Sequence, residues 1–183
     1  KHSPHDLENL SLVLQVCEIL KIEKDTIRLV IEKFKGIKGH MEYVKNIRGI
    51  DFYNDGASIS PYATENAIIN ISNGNEEKNI VLILGGAYTG YEYDRLINIV
   101  KIKVKTVICL PGSGTVGFRN MLLDIQDLNF KQVLNIEEAI KYVKDSAIKG
   151  DKVVFSPACL AIGLFENRID RIEKFNKIIK SFK

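Results

Sequence analysis

The sequence predicts an α/β protein built on a doubly wound, mostly parallel sheet, with an antiparallel edge hairpin and a helical pair in front. Three observations carry that expectation. Short apolar runs at Ile80–Leu84, Thr106–Leu110, Gln132–Leu134 and Lys152–Phe155 read as strands buried on both faces. Helical stretches separate them, about Pro61–Ile71, Tyr93–Val100, Val116–Ile125 and Ile136–Ala147, with a last one near Leu164–Phe182. Ahead of them, Glu42–Asn46 and Ile50–Tyr53 flank Ile47-Arg48-Gly49, a hairpin with glycine in its turn.

The helical pair comes first. Ser3-Pro4 supplies an N-cap with proline at the first helical position. The run from Leu7 to Leu20 is apolar around most of its circumference, so it reads as a helix inside a larger body, with packing partners upstream of Lys1. Asp25 is the expected cap of a second helix, Thr26–Phe34, ending near Gly36. The natural boundary is Gly36–Gly39, which divides the chain into 1–36 and 37–183.

Composition narrows the function classes. The chain has 183 residues, 45% hydrophobic and 27% charged, enough to bury a core without disulfide or metal staples. Lys+Arg 26 against Asp+Glu 23 leaves +3, too near balance for a nucleic-acid or anionic-membrane surface. No apolar run approaches the roughly 20 residues of a membrane span, and no signal peptide opens the sequence. Cys17, Cys109 and Cys159 sit in apolar runs without metal-ligand spacing, as buried reduced thiols of a cytoplasmic protein would. There is no G-x-x-x-x-G-K-[ST] phosphate loop.

In open α/β sheets, ligands bind beyond the carboxyl ends of the strands. Those ends carry Asn54–Pro61, Gly85–Gly90, Pro111–Thr115, Asn135–Glu137 and Ser156–Cys159. Their Gly, Ser and Asp content suits a polar-ligand crevice and equally suits ordinary βα turns. Gly112-Ser113-Gly114-Thr115-Val116-Gly117 is a literal G-x-G-x-x-G opening a helix, with acidic Glu137 about 20 residues on. It would seat a pyrophosphate on the helix N-terminus, although Pro111 intrudes and the preceding strand is not the first of the sheet. Asp55 stands before a Ser/Gly loop, placed to accept ribose hydroxyls, to hold a metal–phosphate, or only to shape a turn. His2, His5 and His40 form no Ser/His/Asp arrangement.

Longer motifs carry more. Pro4-His5-Asp6-Leu7-Glu8-Asn9 is similar to G-x-H-N-x-x-N, and Gly36–Glu42 is similar to G-L-P-H-R-M-E. Phe52-Tyr53-Asn54-Asp55 matches the F-Y-N-D before S-K-A-T-N, and Leu82–Gly86 matches L-I-L-G-G. Ser156-Pro157-Ala158-Cys159, then Phe165-x-Asn167, matches S-P-A-C-A-S…F-K-N, with Asp170-Arg171 and Phe175 similar to E-R-G-x-x-F. In order and spacing these stretches resemble the Mur ligases, and among them the glutamate-adding branch.

The resemblance implies an ATP-dependent amino-acid ligase of peptidoglycan synthesis. Residues 1–36 would end a central P-loop ATPase domain, and 37–183 would form a C-terminal Rossmann-like domain. The implied reaction phosphorylates a carboxylate of UDP-N-acetylmuramoyl-L-alanine from ATP with Mg²⁺. The amine of glutamate then attacks the acyl phosphate. This domain would bind the amino acid and close on ATP, working with upstream domains and with neither nucleic acid nor membrane. The resemblance implies cofactor-binding positions at Asp6, Asn9, His40 and Asp55, and substrate-binding positions at Thr89, Ser156, Ala161 and Arg168. It assigns no catalytic or metal residue here, and the piece alone is expected to be inactive.

The departures define a second reading. The family's phosphate-contacting Arg is His40, the Lys of N-D-S-K is Ala57, and the Lys after G-G falls on Thr89. Its second Ser is Ala161, and an aromatic is Arg168. Another amino acid, rebuilt contacts or lost activity would each account for them; the last makes a non-catalytic nucleotide- or partner-binding domain. Asn54–Pro61 is also similar to a branch reading D-S-I-x-T-T-P that adds L-glutamate. Arg168 or Arg119 would replace a lost lysine. The basic residues of the last helix, Arg168, Arg171, Lys174, Lys177, Lys180 and Lys183, read as a solvated face.

Overall fold

The computed structural model describes residues 4–72 and 77–182, the side chains of residues 4–6 excepted. It forms two compact units, Lys1–Ile37 and Lys38–Lys183. Ser3 lies outside the described residues, as does the side chain of Asp6.

The first unit holds α1 (Pro4–Ile19) and α2 (Lys24–Lys33). Lys21 turns the chain at φ +55°, and the Ile22 N–H returns to the Cys17 carbonyl. Asp25 does not cap α2. The N-cap is Glu23, which makes no side-chain capping bond, and Asp25 lies in the first turn, where its charge meets the helix dipole. On α1, Leu12, Val13, Val16 and Ile19 are 54–78% exposed. No residue of α2 is buried.

The second unit runs β1 (Glu42–Ile47), β2 (Ile50–Asn54), α3 (Pro61–Ser72), β3 (Ile80–Leu84), α4 (Asp94–Lys103), β4 (Val104–Cys109), α5 (Ser113–Leu123), β5 (Asn129–Gln132), α6 (Ile136–Ser146), β6 (Lys152–Phe155) and α7 (Arg168–Ser181). The strands make one six-stranded sheet in the order β1-β2-β6-β3-β4-β5. Only β1 and β2 pair antiparallel, joined at Arg48 and Gly49, both at positive φ. The last strand, β6, inserts between β2 and β3 and pairs parallel with both.

Both sheet faces are covered. Leu82 and Leu84 of β3 join one apolar layer with Ile68 of α3, Leu96 of α4 and Phe118 of α5. Val81 and Ile83 point the other way, into a layer with Ile140 of α6 and Phe175 of α7. This period-two split of a wholly apolar strand is what burial on both faces requires. Helix starts are pinned by short polar side chains: Ser60 accepts from the Ala63 N–H, Asn135 from Glu138 and Asn167 from Asp170.

Several boundaries differ from the sequence expectation, among them that α4 runs on to Lys103 and β4 begins at Val104. β5 lies earlier than Gln132–Leu134, because Asn129–Gln132 pair with Thr106–Cys109; Val133 adds one bond to Cys109 and Leu134 is 72% exposed. α5 begins at Ser113 rather than Val116, with Gly112 as its N-cap. α7 begins at Arg168 rather than near Leu164, since Asn167 caps it there. Cys109 and Cys159 are buried free thiols, whereas Cys17 is only half-buried. Burial pushes both buried thiols above their ordinary pKa.

Candidate active site at the carboxyl edge of the sheet

The β6 insertion decides which loops meet. It places the loop after β6 between the loops after β2 and β3, so residues distant in sequence become neighbours. Asp55, just past β2, is 6% exposed. Its Oδ1 accepts from the Met41 N–H at 3.1 Å, and its Oδ2 accepts from Ser156 Oγ at 2.6 Å and from the Ser58 hydroxyl. Ser156, fully buried, also contacts Thr64 Oγ1 at 2.7 Å. Burial pushes the Asp55 carboxyl above its ordinary value, against the lowering pull of the Ser156, Ser58 and Met41 donors and the nearby His40.

Behind this cluster lies Arg171, which the sequence reading put on a solvated face. It is 1% exposed. Nε donates to the Gly56 carbonyl at 2.8 Å, Nη1 to that of Cys159 at 2.7 Å and Nη2 to that of Ser58 at 3.2 Å. One guanidinium therefore fastens the β2 and β6 loops to α7. Burial pulls it down to about 10, so it stays charged at neutral pH. A second chain of bonds runs from the Gly39 N–H to Glu42, from Asn176 to Glu42, and from Asn54 to Asn176 at 2.9 Å.

The loop after β3 runs beside residues 157–160. Gly85 N–H donates to Pro157 O, while Ala87 and Leu160 exchange main-chain bonds of 3.1 and 2.9 Å. Thr89 sits on this loop. Its hydroxyl is buried and makes no hydrogen bond of acceptable geometry, alone among the described buried side-chain polar atoms. It lies beside the Tyr93 phenol, which contacts Cys159 Sγ at 3.6 Å and which burial pushes well above its ordinary pKa.

The glycine motif is built for loop packing. The Gly114 N–H, which would face a phosphate, already donates to Gly86 O at 3.0 Å. A Cβ on Gly112 would lie 2.1 Å from that same oxygen, and Gly112 sits at φ +150°. Gly117 faces open space, where the dinucleotide fingerprint needs close helix–strand packing. The expectation of a pyrophosphate seat is corrected accordingly.

The remaining expected positions fall as follows. Asn9 lies on α1, exposed, and Asp6 falls outside the described side chains. His40 is exposed, next to Met41, whose φ is +45°. Ala161 is half-buried on the β6 loop, accepting from the Phe165 N–H. Arg168, exposed, opens α7, near enough to Arg171 to lower its pKa. Arg119 is bonded to Gln132 at 3.2 Å. Ser156 faces Asp55 and Thr64 from inside. Sequence reading missed Ser58, although Asp-x-x-Ser after a strand is a turn pattern whose side chains bond each other.

Solved structures share this fold. UDP-N-acetylmuramate–alanine ligase from Thermotoga maritima superposes with TM-score 0.73 at 14% identity, covering 100% of the chain and 39% of that protein. MurF ligase from T. maritima, solved in complex with ADP, gives 0.56 at 16%, covering 97% and 39%. No protein-family model matches the chain. The fold is thus that of the Mur ligases over the portion matched. In sequence, UDP-N-acetylmuramoylalanine–D-glutamate ligase of Caldicellulosiruptor bescii is 34% identical over 96% of the chain, and that of Christiangramia forsetii 32% over 97%. That of Aquifex aeolicus is 28% identical over 96%. The chain is a divergent homologue of the Mur ligases, and it spans 37–41% of the length of these curated relatives.

Proposed function

We propose that the chain is the C-terminal part of an ATP-dependent ligase that adds glutamate to UDP-N-acetylmuramoyl-L-alanine, in the cytoplasm, during peptidoglycan synthesis. The observation that carries this reading is the 34% match to a D-glutamate ligase across 96% of the chain. Residues 1–36 then close a central ATPase domain, and 37–183 receive the amino acid and close on the nucleotide.

ATP, when bound, supplies the phosphoryl group that turns the precursor's carboxylate into an acyl phosphate. Asp6, Asn9, His40 and Asp55 are the positions assigned to it. They fit in part. Oδ2 of Asp55 is filled by Ser58 and Ser156, while Oδ1 accepts only from the Met41 N–H and keeps a lone pair for a ribose hydroxyl. His40 gives a phosphate a single charge-assisted bond where a guanidinium gives a fork. Among the described residues no three His, Cys, Asp or Glu side chains gather, and Mg²⁺ is assigned no ligand from them.

On the amino-acid side, Thr89 is the position that meets one glutamate carboxylate oxygen, its buried hydroxyl turning out from beside Tyr93 to do so, and the Ala161 segment supplies main-chain groups. Arg168 supplies the positive charge that the family's lysine gives, with Ser156 supporting from behind. The chain's residues thereby orient the amine toward the activated carbonyl, which is catalysis by positioning. The test is incorporation of labelled D- or L-glutamate by the full-length protein supplied with UDP-N-acetylmuramoyl-L-alanine, ATP and Mg²⁺. An amide product with one enantiomer supports the reading; no product with either overturns it.

A further inference from the structure

We propose that Ser113 is a positioning residue for the amino-acid loop Gly85–Gly90, an inference that rests on the ligase reading above. The loop after β3 is held by main chain on one side, at 157–160, and on the other side by a single turn, 112–115. That turn takes three of the loop's backbone groups. Gly114 N–H donates to Gly86 O at 3.0 Å, and the Gly86 N–H reaches Thr115 Oγ1 at 3.4 Å. The Tyr88 N–H donates to Ser113 Oγ at 3.0 Å.

The three contacts differ in kind. Gly86 is buried and interlocked with Gly112, whose Cα hydrogens lie where a Cβ would meet the Gly86 carbonyl carbon at 2.3 Å. Thr115 is 2% exposed and spends its own proton on Leu110 O at 2.6 Å. Those two are part of the packed body. Ser113 and Tyr88 are both exposed, so their bond holds up little of the fold. What it does hold is the outer half of the loop, one residue before the unbonded Thr89 hydroxyl. Beyond Ala87 it is the loop's sole side-chain anchor among the described contacts to Tyr88–Gly90 main chain. Without it, the Tyr88–Gly90 main chain swings about Ala87, and the loop loses its fixed approach to substrate, although the Thr89 hydroxyl stays tucked beside Tyr93. Pre-organisation of the loop is lost; none of the reacting atoms is touched.

The experiment compares Ser113→Ala with Ser113→Thr, which keeps the hydroxyl. In the full-length protein, Ser113→Ala raises KM for glutamate roughly three- to tenfold, the worth of one hydrogen bond, with kcat within about twofold. Ser113→Thr restores KM. In the 183-residue chain, Ser113→Ala speeds Tyr88 amide exchange while leaving the thermal midpoint unchanged, and Ser113→Thr reverses it. With an active wild-type protein, an unchanged KM, an unchanged Tyr88 exchange rate or a lowered midpoint overturns the positioning role alone. A wild-type protein that makes no glutamate product overturns the ligase reading, and this inference with it.

Discussion

Arg171 is the most expensive side chain to bury in this fold, and no carboxylate touches it. A guanidinium taken out of water is tolerated where its nitrogens find partners, and here three loop carbonyls give each of the three one. Arg171→Met keeps the length and fills the volume but leaves the Gly56, Ser58 and Cys159 carbonyls unpaired. Urea denaturation should show a loss of about 3 kcal/mol; a loss under about 0.5 kcal/mol would mean the loops do not depend on it. Asp55 makes the complementary prediction in pH. Its folded-state pKa is raised above 3.8 by burial, so folding favours the protonated form. The stability this contributes is present below the ordinary carboxylate value and lost as pH rises through the folded-state value. Unfolding free energies of wild type and Asp55→Asn, measured from strongly to weakly acidic pH, should therefore show wild type losing ground as pH rises. A difference independent of pH contradicts the assignment.

The α5 turn separates packing from ligand binding. Gly112→Ala puts a methyl 2.1 Å from the Gly86 oxygen at φ +150°, and should cost about 2 kcal/mol or more. Gly117→Ala faces open space within the helix and should gain about 0.5–1 kcal/mol. A dinucleotide fingerprint would make the second change harmful, so thermal midpoints of the two variants discriminate. The strands were legible in the sequence because β3 is an unbroken apolar run and β6 is apolar after Lys152, and α3 because Ser60-Pro61 announces its start. Most of Asp55's surroundings were not. Ser156 lies 101 residues away and meets it only because β6 inserts beside β2. No local pattern encodes that neighbour. Arg171 was misplaced because its charge was counted with the lysines. Its position four residues before Phe175, on the buried face of α7, was the contrary signal.

The fold and the sequence match concern a part of a protein: curated relatives are more than twice as long, and the chain covers 37% of the Caldicellulosiruptor bescii ligase. What the chain contributes to the proposed reaction is a carboxyl edge cross-braced by Asp55, Ser156 and Arg171, with Thr89 and Arg168 as the positions proposed to meet glutamate. At the positions matched to the family's motifs on that edge, His40, Ala57, Thr89 and Arg168 change the charge presented. The family's chemistry is therefore expected to persist with rebuilt contacts. The direct test is oxygen transfer in the full-length protein, given UDP-N-acetylmuramoyl-L-alanine labelled with ¹⁸O in its carboxylate, together with ATP, Mg²⁺ and glutamate. A carboxylate oxygen attacks the γ-phosphorus and ADP leaves; the amine then attacks the carbonyl carbon and phosphate leaves with that oxygen. The account predicts one labelled phosphate for each amide formed. Amide formation with unlabelled phosphate, or glutamate-independent ATP hydrolysis without amide, would contradict it.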